Sequence, residues 1–351
     1  MKTLRLTVDP TRLDSPSAQR AITRAANILR DGGLVAFPTE TVYGLGANAL
    51  DPAAVARIFE AKKRPSWDPV IVHIAGPVSP NPMLDGLITA LPDKARKLME
   101  AFWPGPLTLV LPRSASVPDS VTAGRPLVGI RMPAHPVAYQ LIRQAGVPVA
   151  APSANTFSHT SPTTAEHVLE DLDGRIDAIL DAGPTLHGLE STVLDPCQSP
   201  MVIYRPGAVT AAQIRNIAGP TDIFQLQSAP GEALPSPGVS LRHYAPRARL
   251  ILVDAPLTEL PHRLAQIAVI YSNERVGLML PAEIPPSALP GTTTFPWGPW
   301  AAPEVLARTL YSGLRSLDAL GCAVILCPLP SADGIGAAIR DRLKKAAHHN
   351  L

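Results

Sequence analysis

Residues 32–46 read GGLVAFPTETVYGLG, an apolar run of strand length that is followed at once by hydroxyl groups, a carboxylate and two glycines. The apolar part, Leu34 to Phe37, predicts a short buried strand. Ligands of open α/β sheets bind beyond the carboxyl ends of such strands. The polar part therefore predicts a binding site in which Gly44 and Gly46 let the backbone approach a ligand closely. An ordinary polar turn is the alternative interpretation.

Composition predicts a folded protein with two domains. The chain has 351 residues, of which 46% are hydrophobic and 17% are charged, values typical of globular proteins rather than disordered ones. The net charge of +2 argues against a protein that coats nucleic acid or membranes. The three cysteines show no metal-binding spacing and favour a reducing compartment. Because no apolar leader or long apolar span is visible, we expect a soluble, cytoplasmic protein.

Hydrophobic periodicity predicts a mixed α/β first domain, residues 1–224, because strands and helices alternate irregularly. Either Asp14 or Ser15, followed by Pro16, predicts the start of a helix, and Gly32 and Gly33 predict its end. A second helix is expected from residue 52 to the cationic stretch 62–65. Further helices are expected at 92–102, 136–144 and 164–172, and strands at 69–74, 107–111, 128–132, 176–180, 191–195 and 201–204.

A stretch rich in proline, serine and glycine, residues 225–249, predicts a linker between two domains. Beyond it, residues 250–351 predict a smaller, Rossmann-like open α/β domain. Its strands are expected at 250–253, 268–271 and 323–327, and its helices at 303–320 and 335–347.

Polar side chains of the first domain cluster where predicted strands end or loops begin. They are Thr39, Thr41, Lys62, Arg64, His73, Arg131, Ser153, Asn155, Ser161, Ser191 and Arg205. Four cations among hydroxyl groups can hold a phosphate chain and a carboxylate together. Any single cation of this set is better explained as a solvated surface charge, and a lone histidine on a strand is more often structural than catalytic.

Several kinds of site find no support in the sequence. There is no Walker-type phosphate loop, and the glycines near residue 46 lack the third glycine of a dinucleotide fingerprint. No cysteine and histidine cluster suggests zinc. Ser153 and Ser191 lie outside any nucleophile-elbow sequence, so hydrogen bonding to a ligand is the favoured role for both, and Thr41 is interpreted in the same way.

Seven ordered motifs resemble those of the YrdC-like family. They are FPTETVYGLG at 37–46, KKRP at 62–65, WPGPLT at 103–108, RMP at 131–133, APSAN at 151–155, SPT at 161–163 and ESTV at 190–193. Later stretches, SPG at 236–238, RHYAP at 242–246 and DRL at 341–343, resemble the long, two-domain form of threonylcarbamoyl-AMP synthase. The resemblance covers nearly the whole chain and implies a YrdC-like mixed twisted sheet with helices and a cationic cavity.

The resemblance implies an L-threonylcarbamoyladenylate synthase, a nucleotidyltransferase that converts L-threonine, bicarbonate and ATP into threonylcarbamoyl-adenylate and pyrophosphate. Mg2+ is expected with ATP, and no redox cofactor is expected. A downstream threonylcarbamoyl transferase complex would use the product to modify tRNA next to the anticodon, while direct tRNA binding would be weak. The linker, through His243 and Tyr244, would close over the nucleotide.

The resemblance also implies site residues, position by position. L-threonine contacts are implied for Thr41, His73, Arg131, Ala151 and Ser191, with Arg131 facing the carboxylate. ATP contacts are implied for Lys62, Arg64, Asp68, Leu127, Ser153, Asn155, Ser161, Arg205, His243 and Tyr244, with Lys62 and Arg64 as the catalytic cations. Glu40 is expected to fix its loop through hydrogen bonds, and no metal ligand is expected from the protein.

Three positions depart from the family pattern, of which one is Lys63 in place of a frequent glycine. The other two concern the phosphate end of the site. Asp68 stands where asparagine is common, and its charge would repel phosphates unless it meets Mg2+ or Lys62. Leu127 stands where threonine is common, which leaves only a backbone contact to ATP.

Two other functions compete with the synthase. One is an RNA-binding or ribosome-maturation module without catalysis, which the near-neutral net charge disfavours. The other is a carbamoyl transferase related by fold, which would carry additional domains and metal-binding cysteines that this sequence does not have.

Overall fold

The computed structural model describes residues 2–224 and 243–347, which form two compact units. The first unit holds residues 2–157, 162–186 and 190–224, and the second holds 158–161, 187–189 and 243–347. The first unit contains strands β1 (Leu4–Thr7), β2 (Val35–Pro38), β3 (Tyr43–Asn48), β4 (Val72–His73), β5 (Leu107–Pro112), β6 (Leu127–Arg131), β7 (Val149–Ala150), β8 (Ala178–Asp181), β9 (Thr192–Asp195), β10 (Met201–Arg205) and β11 (Thr221–Ile223). Its helices are α1 (Pro16–Arg30), α2 (Pro52–Lys62), α3 (Pro82–Leu87), α4 (Asp93–Phe102), α5 (Asp119–Thr122), α6 (Pro136–Ala145), α7 (Ala165–Leu172) and α8 (Ala211–Ala218).

The strands of the first unit form a mixed eleven-stranded sheet in the order β1-β8-β2-β3-β7-β4-β6-β5-β9-β10-β11. Parallel pairs such as β4 with β6 and β5 with β9 alternate with antiparallel pairs such as β5 with β6 and β9 with β10. The order in the sheet departs from the order in the chain. This mixture explains why the sequence does not alternate regularly between strand and helix patterns.

Strand β2 is apolar throughout because both faces of the sheet are covered at this point. Val35 and Phe37 pack into a core with residues of α1 and α6. Leu34 and Ala36 belong to a larger core on the other face, together with residues of α2 and α4. Helix α1 begins where predicted, since the Ser15 side chain accepts a hydrogen bond from the Ala18 amide and Pro16 opens the first turn.

The last glycine of the opening stretch, Gly46, allows close packing of the sheet. Gly46 lies in β3 opposite Val35, and a Cβ atom there would come 2.8 Å from both Phe37 Cε1 and Val149 Cγ1. The space beside Gly46 is therefore filled by neighbouring side chains rather than kept for a ligand, contrary to the expectation from sequence. Residues 43–48, which the sequence placed in a binding loop, form a strand.

Replacing Gly46 with alanine is expected to lower the free energy of unfolding by about 1–3 kcal/mol, the usual cost of overpacking a core. Gly86→Ala is the matched control, because Gly86 lies in α3 and a Cβ atom there meets nothing within 4 Å. Urea unfolding of the two variants checks the prediction. Equal stability of both would show that the sheet accommodates the methyl group without strain.

The second unit is an open α/β arrangement. Its strands are β12 (Arg249–Val253), β13 (Val276–Pro281), β14 (Thr293–Gly298) and β15 (Val324–Pro328), and its helices are α9 (Leu260–Ile270), α10 (Pro303–Ala319) and α11 (Gly336–Ala347). The four strands are parallel in the order β12-β15-β13-β14. Leu260 and Leu264 of α9 pack against the sheet residues Leu278 and Leu326.

Most predicted elements are present within a few residues of the predicted bounds, but residues 268–271 were predicted wrongly as a strand. They lie at the end of α9 and just beyond it, because a short apolar run does not by itself distinguish a buried strand from the last turn of a helix. The strands β1, β11, β13 and β14 and the helices α3, α5, α8 and α9 were not predicted. Of the predicted linker 225–249, only residues 243–249 lie within the described part. No helix among the described residues combines the length and the apolar character needed to span a membrane.

Candidate functional site

Strand ends bring four of the predicted site residues, together with Thr108, to one edge of the first unit's sheet. His73 and Arg131 are register partners at the ends of the parallel strands β4 and β6. Thr108 lies near the start of β5, which runs antiparallel to β6, and Ser191 immediately precedes β9, which is parallel to β5. Arg205 ends β10, which runs antiparallel to β9. The pairing of strands β4, β6, β5, β9 and β10 therefore brings these side chains together.

Arg131 is held by a buried network at this edge. Its Nη2 donates to Glu40 Oε1 at 2.6 Å, its Nη1 donates to Thr41 Oγ1 at 2.9 Å, and its Nε donates to the Gly105 carbonyl oxygen at 3.2 Å. The other Glu40 oxygen accepts from the Ala134 amide at 3.0 Å. Both charged side chains are at most 6% exposed. The guanidinium is thus fixed in one orientation by groups of the protein itself.

The carboxylate of Glu40 stays ionised in this network. Burial opposes its ionisation, but the charge and hydrogen bond of Arg131 and the backbone amides outweigh burial and lower the pKa of Glu40. Glu40 is therefore a fixed partner of Arg131 instead of a group that exchanges protons near neutral pH. The expectation that Glu40 acts through hydrogen bonds agrees with this geometry, although the sequence did not indicate Arg131 as the partner.

Ser191 and Arg205 form a second network with a residue that sequence reasoning missed. Arg205 donates from Nη2 to Ser191 Oγ and from Nε to the Ser191 carbonyl oxygen, both at 3.0 Å. Thr108 Oγ1 lies 2.8 Å from Ser191 Oγ in a hydrogen bond, and Thr108 is completely buried. Thr108 lies inside the motif WPGPLT, and its hydroxyl group on an otherwise apolar strand was the available signal.

His73 is buried and uncharged. Burial, followed by the positive charge of Arg131, lowers the pKa of His73 to about 3. Its ring contacts Phe37 edge-on with the centroids 6.2 Å apart, and its Nδ1 has no hydrogen-bond partner among the described residues. A neutral imidazole at this position can exchange a hydrogen bond with a ligand without adding charge to the site.

This depressed pKa predicts a pH dependence of stability. The folded-state pKa of about 3 lies below the ordinary value of 6.5, so below pH 6.5 the unfolded chain binds a proton that the folded chain does not. Between about pH 7.5 and pH 5.5, wild type should lose about 1.4 kcal/mol more stability than His73→Gln. Urea unfolding at the two pH values measures the difference. His262→Gln, at an exposed position of α9, is the control; an unchanged slope in His73→Gln would show that His73 titrates normally.

The side chain of Lys62 is buried and is held by two carbonyl oxygens. Lys62 ends α2 and is 1% exposed, and its Nζ donates to the carbonyl oxygens of Ser153, at 2.5 Å, and Asn155. Burial, and then the neighbouring charge of Arg64, lowers the pKa of Lys62 well below its usual value. The Phe157 amide donates to the Lys62 carbonyl oxygen at 2.8 Å. Residues 153–157 are thereby tied to the end of α2 through both the side chain and the backbone of Lys62.

Arg64 lies beside Lys62 and points back to its own loop. It donates from Nε to the carbonyl oxygen of Asp68 at 3.1 Å and from Nη2 to that of Pro69 at 2.7 Å. Its Nη2 is also 2.9 Å from the Asp68 carboxylate. Asp68 therefore forms an ion pair with Arg64, while Lys62, the partner considered from sequence, acts on Asp68 through its charge. The Phe157 ring lies 5.8 Å from the Arg64 guanidinium carbon.

The other predicted residues of the first unit are placed as follows. Ala151 follows β7, and its amide donates to the Ile71 carbonyl oxygen at 2.8 Å. Asn155 is completely buried and its side chain donates to the Thr156 carbonyl oxygen at 2.8 Å. Leu127 begins β6, at the opposite end of that strand from Arg131, and packs with Tyr204 against Ile71, Val110 and Val193. A contact between Leu127 and ATP stays a prediction.

Ser161, His243 and Tyr244 belong to the second unit. Tyr244 is 1% exposed and adopts a left-handed backbone conformation with φ of 63°. Its ring lies 4.1 Å from that of His243 and stacks with that of Tyr311 at 6.0 Å, and Arg342 lies 5.1 Å from its centre. The end of the predicted linker is thus packed into the second unit, and its contact with a nucleotide stays a prediction.

The first unit's site suits an anionic ligand. Four cations are buried in it, and two of them, Arg64 and Arg131, pair with carboxylates, while Lys62 and Arg205 are held by neutral oxygens. The positive charge of Arg205 acts on both Asp68 and His73, so the parts of the site around these two residues are electrostatically coupled. Within the described ranges, no group of three or more histidine, cysteine or acidic side chains could hold a metal ion.

Two family models cover this chain. The Sua5, YciO and YrdC model, described as "Telomere recombination", matches residues 27–207, and the model described as "Threonylcarbamoyl-AMP synthase, C-terminal domain" matches residues 209–348. The chain belongs to the two-domain threonylcarbamoyl-AMP synthase family. The predicted family and the predicted fold class are therefore confirmed.

Individual members of the threonylcarbamoyl-AMP synthase family resemble this chain over nearly its full length. The enzyme of Pyrococcus abyssi is 42% identical, over 93% of this chain and 94% of its own. That of Bacillus subtilis is 44% identical, over 99% of this chain and 98% of its own. The crystal structure of P. abyssi Sua5 complexed with L-threonine has a TM-score of 0.91 and 40% identity, covering 98% of both chains.

Proposed function

We propose that this chain is an L-threonylcarbamoyladenylate synthase, which forms threonylcarbamoyl-adenylate and pyrophosphate from L-threonine, bicarbonate and ATP for the modification of tRNA next to the anticodon. Curated relatives that carry this enzyme's name at 42% and 44% identity over the full chain support the proposal. The structural observation that carries it is a set of buried cations: Arg131 in its network with Glu40, and Lys62, Arg64 and Arg205, whose charges all act on Asp68.

Each network has a role in this reaction. Arg131, oriented by Glu40, binds the threonine carboxylate, and Thr41, neutral His73, the Ala151 region and Ser191 contact the rest of the amino acid. The threonine amine and bicarbonate combine to a carbamate with loss of water. A carbamate oxygen then attacks the α-phosphorus of ATP, and pyrophosphate leaves. Placing a small zwitterion beside a triphosphate accounts for catalysis by positioning and charge stabilisation.

The other three buried cations bind the phosphates of ATP. Lys62, Arg64 and Arg205 stabilise the charge that develops as pyrophosphate leaves, while Ser153, Asn155 and Ser161 bind the nucleotide. Asp68, Leu127, His243 and Tyr244 complete the nucleotide contacts in this proposal, with the linker as a closing segment. Mg2+ enters with ATP as part of the substrate complex, held by phosphate oxygens. The product passes to a threonylcarbamoyl transferase complex that acts on tRNA.

Release of pyrophosphate from ATP by the purified chain tests the proposal. Release that requires both threonine and bicarbonate, with threonylcarbamoyl-adenylate detected by mass spectrometry, is the expected result. Release that is indifferent to threonine would refute it. Tight RNA binding with a steep salt dependence and no threonine-dependent turnover would instead favour the RNA-binding alternative.

A further inference from the structure

Asp68 is a carboxylate buried among the cations of the proposed phosphate site. The side chains of Asp68 and Arg64 are 0% and 3% exposed, and Arg64 Nη2 lies 2.9 Å from Asp68 Oδ2. Arg64 also donates to the backbone carbonyl oxygens of residues 68 and 69. In this conformation the guanidinium faces its own loop, and part of its charge is neutralised by Asp68.

The charge of Asp68 depends on its neighbouring cations. Neither carboxylate oxygen has a hydrogen-bond donor among the described residues, since the contact with Arg64 is an ion pair without hydrogen-bond geometry. A buried carboxylate that receives no hydrogen bond is costly unless cations compensate it. Burial raises the pKa of Asp68, and the charges that oppose this rise are those of Arg64, Lys62 and Arg205. The pKa of Lys62 is lowered, so Lys62 is a second group that could take up a proton here. A test of Asp68 must therefore distinguish the two.

A polyphosphate needs the same cations that stabilise Asp68. Binding it would draw Arg64 away from the carboxylate and place several negative charges beside a buried anion. Two like charges sharing one site raise the pKa of the group that can be protonated. Uptake of one proton from solvent removes the repulsion and leaves a neutral carboxyl group, which can donate a hydrogen bond.

We propose that Asp68 is the counter-ion of Arg64 which the phosphates of ATP displace, and that Asp68 takes up a proton as the nucleotide binds. This inference rests on the proposed function, because it takes ATP as the ligand of these cations. It gives the synthase a nucleotide affinity that falls as the pH rises, since proton uptake is harder at lower proton concentration. Asparagine at position 68 would keep the shape of the side chain and remove this dependence.

Calorimetric titration with ATP and Mg2+, without threonine or bicarbonate, measures proton uptake directly. Titrations near pH 8 in two buffers that differ in ionisation enthalpy should show uptake of up to about one proton per bound nucleotide in wild type. Asp68→Asn should show none and should bind ATP about tenfold more tightly, because it removes a like charge. Between about pH 7.5 and pH 9, the ratio of the two dissociation constants should widen by up to about tenfold per pH unit.

Asp171→Asn is the matched control. Its carboxylate acts electrostatically on Lys62 and accepts a hydrogen bond from the Thr156 amide, so it removes one negative charge from the same region while the Asp68 and Arg64 pair stays intact. This variant should keep the proton uptake of wild type. Equal effects of the two variants would show a general charge effect and overturn the proposal.

The remaining outcomes are also decisive. Wild type that takes up no proton overturns the inference without any variant. Uptake that persists in Asp68→Asn assigns the proton to Lys62 and overturns it as well. Weaker ATP binding by Asp68→Asn only in the presence of Mg2+ would make the carboxylate a metal contact instead. Threonine-dependent pyrophosphate release together with any of these results would leave the proposed function intact. A wild type that neither binds ATP nor releases pyrophosphate in the presence of threonine and bicarbonate would refute both.

Discussion

Arg131→Ala is expected to raise the KM for threonine by about 100-fold. It removes a bidentate, charge-assisted contact to the threonine carboxylate, and such a contact contributes about 3 kcal/mol to binding. The KM for ATP should change by less than about threefold, since Lys62, Arg64 and Arg205, the proposed phosphate cations, are unchanged in this variant. Pyrophosphate release at varied threonine and varied ATP separates the two constants. An equal loss for both substrates would refute the proposed division of the site.

The same substitution has a second consequence that must be kept apart from binding. It leaves Glu40 buried without its guanidinium partner, which costs about 3–5 kcal/mol of stability for a pair of this kind. The double variant Arg131→Met/Glu40→Gln removes both charges at similar volume and is expected to regain most of that stability. Threonine binding should stay lost in the double variant. Recovery of threonine binding would show that Arg131 acts only through the fold.

The positions of the site residues along the chain were easier to predict than their partners. Apolar runs that end in polar residues placed His73, Arg131 and Arg205 near the carboxyl ends of strands, and Ser191 was placed at the start of one. The positions of β4, β6, β9 and β10 agree with this. The pairing of Arg131 with Glu40 joins residues 91 positions apart. It depends on the sheet order and its twist, which strand patterns in a single sequence do not contain.

Position 46 and residues 268–271 show the limits of local patterns. Gly46 was interpreted as clearance for a ligand, but Phe37 and Val149 occupy that space, and a sequence does not reveal which side chains pack across a sheet. Residues 268–271 are apolar enough for a strand and lie at the end of a helix. The ion pair of Arg64 with Asp68 was not predicted either. The sequence does not show whether a cation beside a predicted phosphate site faces the ligand or its own loop.

Lys62→Met is expected to lower kcat/KM for ATP by about 100-fold, the effect of losing one buried donor that stabilises developing charge. The ammonium holds the carbonyl oxygens of Ser153 and Asn155, so methionine removes both the charge and the tie that positions two predicted nucleotide contacts. Pyrophosphate release at saturating threonine measures the loss. The KM for threonine should stay within about threefold of wild type, because Arg131 and Glu40 are untouched.

Lys63→Met is the control that the chain itself offers for this prediction. Lys63 carries the same charge one residue further on, but it is exposed and caps α2 in a left-handed conformation with φ of 52°. Methionine can adopt that conformation as well as lysine does, so any difference between the two variants reports burial and contact instead of net charge. Thermal unfolding of Lys62→Met near the wild-type midpoint would exclude loss of fold, since an apolar side chain of similar length fills the same space. Equal losses of activity in both variants would mean that the site responds only to its overall positive charge, and Lys62 would then have no specific role in binding ATP.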